Sequence, residues 1–202
     1  MRIGLDFDNT IVGYDQLFHK VACEQGVVPP ETPPSKIAVR DYLRRVDKES
    51  VWTQMQGYVY GARMAEAQAY PGVTDFLRWA TGAGHETAIV SHKTRHPFLG
   101  PQYDLHAAAR EWILSNLTVE GRPLIAASKV FFELTKEDKL ARVATLACDV
   151  FIDDLPEILQ APAFPVNIQR ILFDPDNHHE ATPLPGVTRI RSWNDLAQCL
   201  AS

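Results

Sequence analysis

The sequence predicts an α/β fold in which a mainly parallel sheet lies between layers of helices. The prediction depends on short apolar runs that end in polar residues, on segments of helical period between them, and on the alternation of the two. Such runs are typical of strands that are buried on both faces. The predicted strands are residues 2–7, 87–90, 129–132, 149–152 and 170–173. Because parallel sheets bind ligands at the carboxyl ends of their strands, functional residues are expected where these runs end.

Apolar residues recur at spacings of three and four between the predicted strands, which predicts amphipathic helices. A further helix is expected at the C-terminus after Ser192, because a serine hydroxyl is a good N-cap. The predicted helices of this part of the chain are 72–82, 104–117, 136–147 and 193–201.

The segment from about residue 13 to residue 70 interrupts the alternation, because it has helical pattern without a convincing strand. Its proline-rich stretch at 28–35 connects two helices, since proline lacks the backbone donor that a helix requires. We therefore predict a helical insertion at 14–70 and a core formed by 1–13 and 71–202.

Composition and charge exclude several classes of protein. The chain has 202 residues, enough for one domain with a modest insertion. Its 20 basic and 25 acidic residues give a net charge of −5, which disfavours general binding to nucleic acid. Neither a signal peptide nor an apolar run of membrane-spanning length is recognisable, so we expect a cytoplasmic protein without a membrane partner.

The first predicted strand ends in two acidic residues, Asp6 and Asp8. Alternation along an extended strand places both on the same side. Carboxylates held this close repel each other unless a cation or a shared proton compensates, and oxygen ligands favour a hard ion such as Mg²⁺. The alternative is an ordinary acidic turn after a strand.

Three further features follow in chain order. Ser91 comes directly after the second predicted strand, where its hydroxyl could donate to a phosphate oxygen. Lys136 and Lys139 open the helix before the fourth strand, and Asp153 and Asp154 follow that strand. Each feature also has an ordinary explanation: a turn or helix cap, a solvated helix face, or an Asx turn.

Together these motifs resemble those of the haloacid dehalogenase-like (HAD) superfamily. The resemblance implies a Rossmann-like three-layer sandwich with a small α-helical cap, and YPGV at 70–73 looks like the return of the chain from such a cap. The motifs that carry it are DFDNT at 6–10, IVS at 89–91, TKEDK at 135–139 and FIDD at 151–154.

The resemblance also implies roles for the acidic residues. Asp6 would be the nucleophile that forms an aspartyl-phosphate, and Asp8 would be the general acid and base. Mg²⁺ would be held by Asp6, by the main-chain carbonyl of Asp8 and by Asp153, with Asp154 as a further or water-mediated ligand. The dehalogenase branch of the family lacks the second aspartate, so Asp8 favours phosphoryl transfer.

By the same resemblance, Ser91 and one lysine would bind the transferring phosphoryl group. We choose Lys136, at the start of its helix, and keep Lys139 as a close alternative. Other expected substrate contacts come from the first motif, from the polar stretch after Ser91 and from the cap, although a solvated helix face is the simpler explanation for the arginines. These residues are Asn9, Thr10, His92, Lys93, Lys139, Arg44 and Arg63.

The expected function is Mg²⁺-dependent hydrolysis of a small phosphate monoester, such as a phosphosugar or a nucleotide. The expected partner is a small phosphorylated metabolite and not a nucleic acid, and the chain would be a monomer or a homodimer. Three alternatives remain open: a phosphomutase, a nucleic-acid end phosphatase, and a non-catalytic module that binds a phosphorylated ligand.

Overall fold

A parallel sheet forms the centre of the fold. The structure is a computed structural model that describes residues 1–201, and within those residues six strands join in the order β10-β9-β8-β1-β4-β7, with every neighbouring pair parallel. These strands are β1 (Arg2–Leu5), β4 (Glu86–His92), β7 (Val130–Glu133), β8 (Val150–Asp153), β9 (Gln169–Phe173) and β10 (Val187–Ile190). Short strands form two more pairs, β2 (Val12–Gly13) with β3 (Gln68–Ala69) and β5 (Thr118–Val119) with β6 (Arg122–Pro123).

The described part of the chain has eight α-helices. They are α1 (Asp15–Glu24), α2 (Lys36–Arg45), α3 (Glu49–Tyr60), α4 (Val73–Gly82), α5 (Leu105–Asn116), α6 (Lys136–Thr145), α7 (Pro156–Leu159) and α8 (Trp193–Ala201). The α/β fold with a parallel sheet is therefore confirmed, and each of the five predicted strands is present within a few residues of its expected bounds. Strand β10 was not predicted. Among the helices described, none combines the length and the apolar character that a membrane span requires.

The chain divides into two compact units. Unit 1 consists of residues 1–12, 69–93 and 116 onward, and unit 2 consists of residues 13–68 and 94–115. Unit 1 contains the six-stranded sheet, and unit 2 contains α1, α2, α3 and most of α5.

This division differs from the predicted one mainly at residues 94–115, which were expected to belong to the core. Inside unit 2, the buried Trp112 donates from Nε1 to the carbonyl oxygen of Ala67 at 2.9 Å. The segment also lies against α3, because a Cβ built on Gly57 would be 2.6 Å from Cβ of Pro97. Segment 94–115 therefore packs with the helical insertion and completes its core.

In unit 1, α6 packs on one face of the sheet against β4 and β7. Apolar residues of both layers form a common buried cluster, including Val143 of α6 and Phe151 of β8. Gly4 of β1 faces this cluster, and a Cβ at that position would lie 2.6 Å from the ring of Phe151. Asp6 lies two residues after Gly4, so strand alternation directs it toward the same face as α6.

Candidate active site

The chain turns sharply after β1 and so places Asp6 and Asp8 at the carboxyl edge of the sheet. The backbone N–H of Asp6 continues the sheet by donating to the carbonyl oxygen of Ile152 at 2.9 Å. The carbonyl oxygen of Phe7 then accepts from the N–H groups of both Ile11 and Val12, at 3.0 and 3.1 Å. Asn9 makes the turn possible with a φ of 58°, in the left-handed region that asparagine tolerates.

Asp6 is buried and its carboxylate accepts bonds from other elements. Its Oδ1 accepts from Oγ of Ser91 at 2.8 Å and from Nζ of Lys139 at 2.6 Å. Its Oδ2 lies 3.5 Å from Oγ1 of Thr10, at the outer limit of a hydrogen bond. Thr10 is itself fixed, because its carbonyl oxygen accepts from Nε1 of the buried Trp193 at 3.0 Å. Residues up to 133 positions away in the sequence thus hold the Asp6 side chain in place.

Lys139 connects two carboxylates. Its Nζ, in addition to the bond to Asp6, donates to Oδ2 of Asp153 at 2.6 Å, and the residue is only 1% exposed. Burial disfavours the charged ammonium, but the negative charges of Asp153 and Asp6 outweigh this and raise the pKa of Lys139 above its usual value. Lys139 therefore remains a fixed positive charge between the two acids.

Asp153 is completely buried at the end of β8. Its Oδ1 accepts from the N–H of Leu155 at 3.0 Å. Burial and the nearby charge of Asp6 raise the pKa of Asp153 well above its usual range, against the opposing effect of Lys139. One ammonium thus faces two buried carboxylates, which leaves an excess of negative charge at the strand ends.

The acidic residues offer a donor set that fits a hard divalent ion. Asp6, Asp153 and Asp154 each contribute a carboxylate oxygen, and the three oxygens lie within 4.8 Å of one another. Carboxylate oxygens are the ligands that Mg²⁺ prefers, and a cation would compensate the excess negative charge. These residues therefore fit the predicted magnesium site.

Asp8 has a different partner from Asp6. Nζ of Lys93 donates to Oδ1 of Asp8 at 2.9 Å and to its Oδ2 at 2.7 Å. Lys93 was predicted as a substrate contact, and in the structure its ammonium pairs with Asp8, the predicted acid and base. The pairing joins residues 85 positions apart, and the position of Lys93 two residues after Ser91 is its only signal in the sequence.

The structure favours Lys139, the alternative, over Lys136 as the lysine of the site. Lys136 is exposed and pairs with Glu157, with Nζ 3.3 Å from Oε1, whereas Lys139 lies beside Asp6. The two lysines differ because they lie about one turn apart along α6. Lys136 is the first residue of the helix, and the side chain one turn further along lies level with the strand ends.

Three other predicted substrate residues have partners of their own. His92 is exposed, and its Nε2 lies 3.1 Å from the carbonyl oxygen of Leu134. Arg44 and Arg63 belong to unit 2, where Arg44 pairs with Glu49 and Arg63 pairs with both Glu24 and Glu66. Of the predicted site residues, the structure brings together Asp6, Thr10, Ser91, Lys139, Asp153 and Asp154 in unit 1, with Asp8 and Lys93 as a neighbouring pair.

No family model matches the sequence, and no curated protein matches it. Solved structures do match. A HAD family hydrolase from Deinococcus radiodurans, with bound phosphate and sodium, has a TM-score of 0.59 at 16% identity and covers 99% of this chain and 94% of its own. A predicted phosphoglycolate phosphatase from Haemophilus somnus has a TM-score of 0.60 at 13% identity, covering 98% and 96%.

An L-2-haloacid dehalogenase matches with a TM-score of 0.54 at 11% identity, covering 100% of this chain and 98% of its own. Similarity at these identities concerns the fold, and it extends over nearly the whole chain. The parallel sheet, the strand-end acids and these matches lead to one conclusion: the chain has the fold of the haloacid dehalogenase-like superfamily of hydrolases.

Proposed function

We propose that the protein is a Mg²⁺-dependent phosphatase that hydrolyses a small phosphate monoester through an aspartyl-phosphate on Asp6. The observation that carries the proposal is the convergence of Asp6, Ser91, Lys139 and Asp153 at the strand ends. Structural carboxylates are not usually buried in excess of their cations, since each uncompensated charge is costly. A site that must stabilise a transferring phosphoryl group explains the arrangement.

In the first half of the proposed reaction, a carboxylate oxygen of Asp6 attacks phosphorus while the bond to the leaving oxygen breaks. Ser91 and Lys139 already hold the Asp6 carboxylate in one orientation. The same donors suit the phosphoryl oxygens, because a hydroxyl and a buried ammonium stabilise negative charge that develops there. Asp8 would give the leaving oxygen its proton.

In the second half, water attacks phosphorus, Asp8 takes the proton of that water, and the bond between phosphorus and Asp6 breaks. The carboxylate of Asp6 is thereby restored and phosphate leaves. The Mg²⁺ held by Asp6, Asp153 and Asp154 would neutralise charge on the phosphoryl oxygens. Asp154 is partly exposed, so the cluster of Asp6, Asp153 and Asp154 is open to solvent on the side of Asp154.

The matched structures include a dehalogenase and a predicted phosphatase, so the reaction type is argued from the residues. Asp8 favours phosphoryl transfer, because the dehalogenase branch lacks an aspartate at this position. The net charge of −5 favours a small metabolite over a polynucleotide. We therefore propose a phosphosugar or a nucleotide as the substrate class.

A panel of phosphorylated metabolites, scored by kcat/KM with and without Mg²⁺, tests the proposal. We expect hydrolysis that EDTA stops and Mg²⁺ restores.

Mg²⁺ at a hundred times its Kd should also raise the unfolding free energy by about 2.7 kcal/mol. Asp153→Asn should abolish this stabilisation, whereas Asp75→Asn, at an exposed ion pair with Arg78, should retain it. Metal-independent hydrolysis, or binding of esters without turnover, would contradict the proposal.

A further inference from the structure

Lys93 is anchored at both its backbone and its ammonium group. It follows β4 directly, and its N–H donates to the carbonyl oxygen of Glu133 in β7 at 2.9 Å. Its Nζ lies 5.7 Å from the centre of the Phe7 ring, within the range of a cation–π contact. The lysine is 5% exposed, so it has little freedom to leave this position.

The ammonium of Lys93 contacts both oxygens of Asp8, at 2.9 and 2.7 Å. Two contacts to one carboxylate fix its rotation, which a single contact would leave free. The side chain of Asp8 is 21% exposed and that of Lys93 is 4% exposed. A ligand that approaches this pair from solvent therefore meets the carboxylate of Asp8 before the ammonium behind it.

We infer that Lys93 is a positioning residue: it fixes the orientation of the Asp8 carboxylate and acts on the reaction through Asp8, without binding the substrate. The inference rests on the proposed phosphatase function, in which Asp8 transfers protons. Proton transfer depends on the position of the donor and acceptor, and a displacement of about 1 Å can cost 10²-fold in rate. A carboxylate that turns freely would transfer protons less often to the leaving oxygen and from the attacking water.

The test is a double-mutant cycle on the full-length protein with Mg²⁺ present. We expect Lys93→Met to lower kcat about 10- to 100-fold, with KM changed less than about threefold. In the Asp8→Asn background, the same substitution should have almost no further effect, because the group it positions is already lost. Lys93→Arg, which keeps the charge, should restore part of kcat. Lys129→Met, at an exposed lysine paired with Glu86, is the matched control and should leave both constants unchanged.

The leaving group gives a second readout. The phenolate of an aryl phosphate departs without a proton, whereas the alcohol oxygen of an alkyl phosphate needs one as its bond to phosphorus breaks. Formation of the aspartyl-phosphate should therefore slow more with alkyl than with aryl substrates in Lys93→Met. A raised KM with normal kcat, or an effect that multiplies with that of Asp8→Asn, would make Lys93 a substrate contact and overturn the inference. Equal slowing with both substrates would also overturn it.

If Lys93→Met does not fold, Lys93→Gln replaces it in the cycle. A wild-type protein without phosphatase activity would instead refute the proposed function, and this inference with it.

Discussion

Both units contain clusters of charged side chains, but the two clusters differ in burial and in balance. In unit 2, Lys20 and Arg63 pair with Glu24 and Glu66 on the surface, two cations with two anions. In unit 1, Lys139 alone is buried against both Asp6 and Asp153. Exposed, balanced pairs contribute little to stability, whereas buried, unbalanced ones are costly. The cluster in unit 1 is therefore explained by function better than by folding.

The pKa values of the acidic residues in the two clusters shift in opposite directions. Hydrogen bonds from Arg63 and then Lys20 lower the pKa of Glu66 to about 2. In unit 1, burial raises the pKa of Asp153 despite its ion pair. A carboxylate whose surroundings oppose its charge, at the end of a strand, is typical of a functional site.

The largest effect should come from Asp6→Asn, which removes the proposed nucleophile and keeps its shape. We expect kcat to fall at least about 10⁴-fold, because an amide oxygen does not form the phosphoenzyme. Steady-state kinetics with the best substrate of the panel measure the loss, and circular dichroism checks the fold. Asp75→Asn controls for the loss of an acid elsewhere in unit 1. Near-normal turnover by a folded Asp6→Asn protein would remove Asp6 from the chemistry.

A comparison of Lys139→Met with Lys136→Met tests the effect of burial within one helix. Lys139→Met leaves Asp6 and Asp153 buried without their cation, so the unfolding free energy without metal should fall by about 3 kcal/mol. Its kcat should fall about 10²- to 10³-fold. Lys136→Met removes an exposed pair and should change the unfolding free energy by less than about 0.5 kcal/mol. Urea denaturation measures both, and equal losses would contradict the assignment of Lys139 to the site.

The smallest effect should come from Glu66→Gln in unit 2, and it should depend on pH. The pKa of Glu66 is lowered in the folded protein, so its contribution to stability is present above the ordinary value of 4.5 and is lost as pH falls toward about 2. The difference in unfolding free energy between the wild type and Glu66→Gln should therefore shrink over that window. Glu31→Gln, at an exposed position in the same unit, is the control. A difference that stays constant down to pH 2 would show that the ion pairs of Glu66 contribute nothing.

The sequence was sufficient to predict the sheet, the main helices and the acidic strand ends, because period and motif are local properties. Strand β10 was not predicted because only one of its four residues, Ile190, is buried, so its sequence has no apolar run. Helical period could not separate Lys136 from Lys139, since each lies four positions before a buried apolar residue, Leu140 and Val143 respectively. Only the packing of α6 against the sheet determines which lysine lies level with the strand ends, and that packing is a tertiary property.

Two other features also depend on contacts between distant parts of the chain. Helix α5 was predicted, but its place in unit 2 is fixed by contacts such as that between Trp112 and Ala67, 45 residues apart. The bond between Lys93 and Asp8 joins the ends of two neighbouring strands. No local pattern encodes either contact.

The central claim is that Asp6 carries the phosphoryl group during turnover. The most direct measurement is a crystal structure of the protein with Mg²⁺ and BeF₃⁻, which imitates a phosphoryl group on a carboxylate. We predict the beryllium on a carboxylate oxygen of Asp6, with Ser91 and Lys139 donating to the fluorides. An adduct on any other carboxylate would contradict the account.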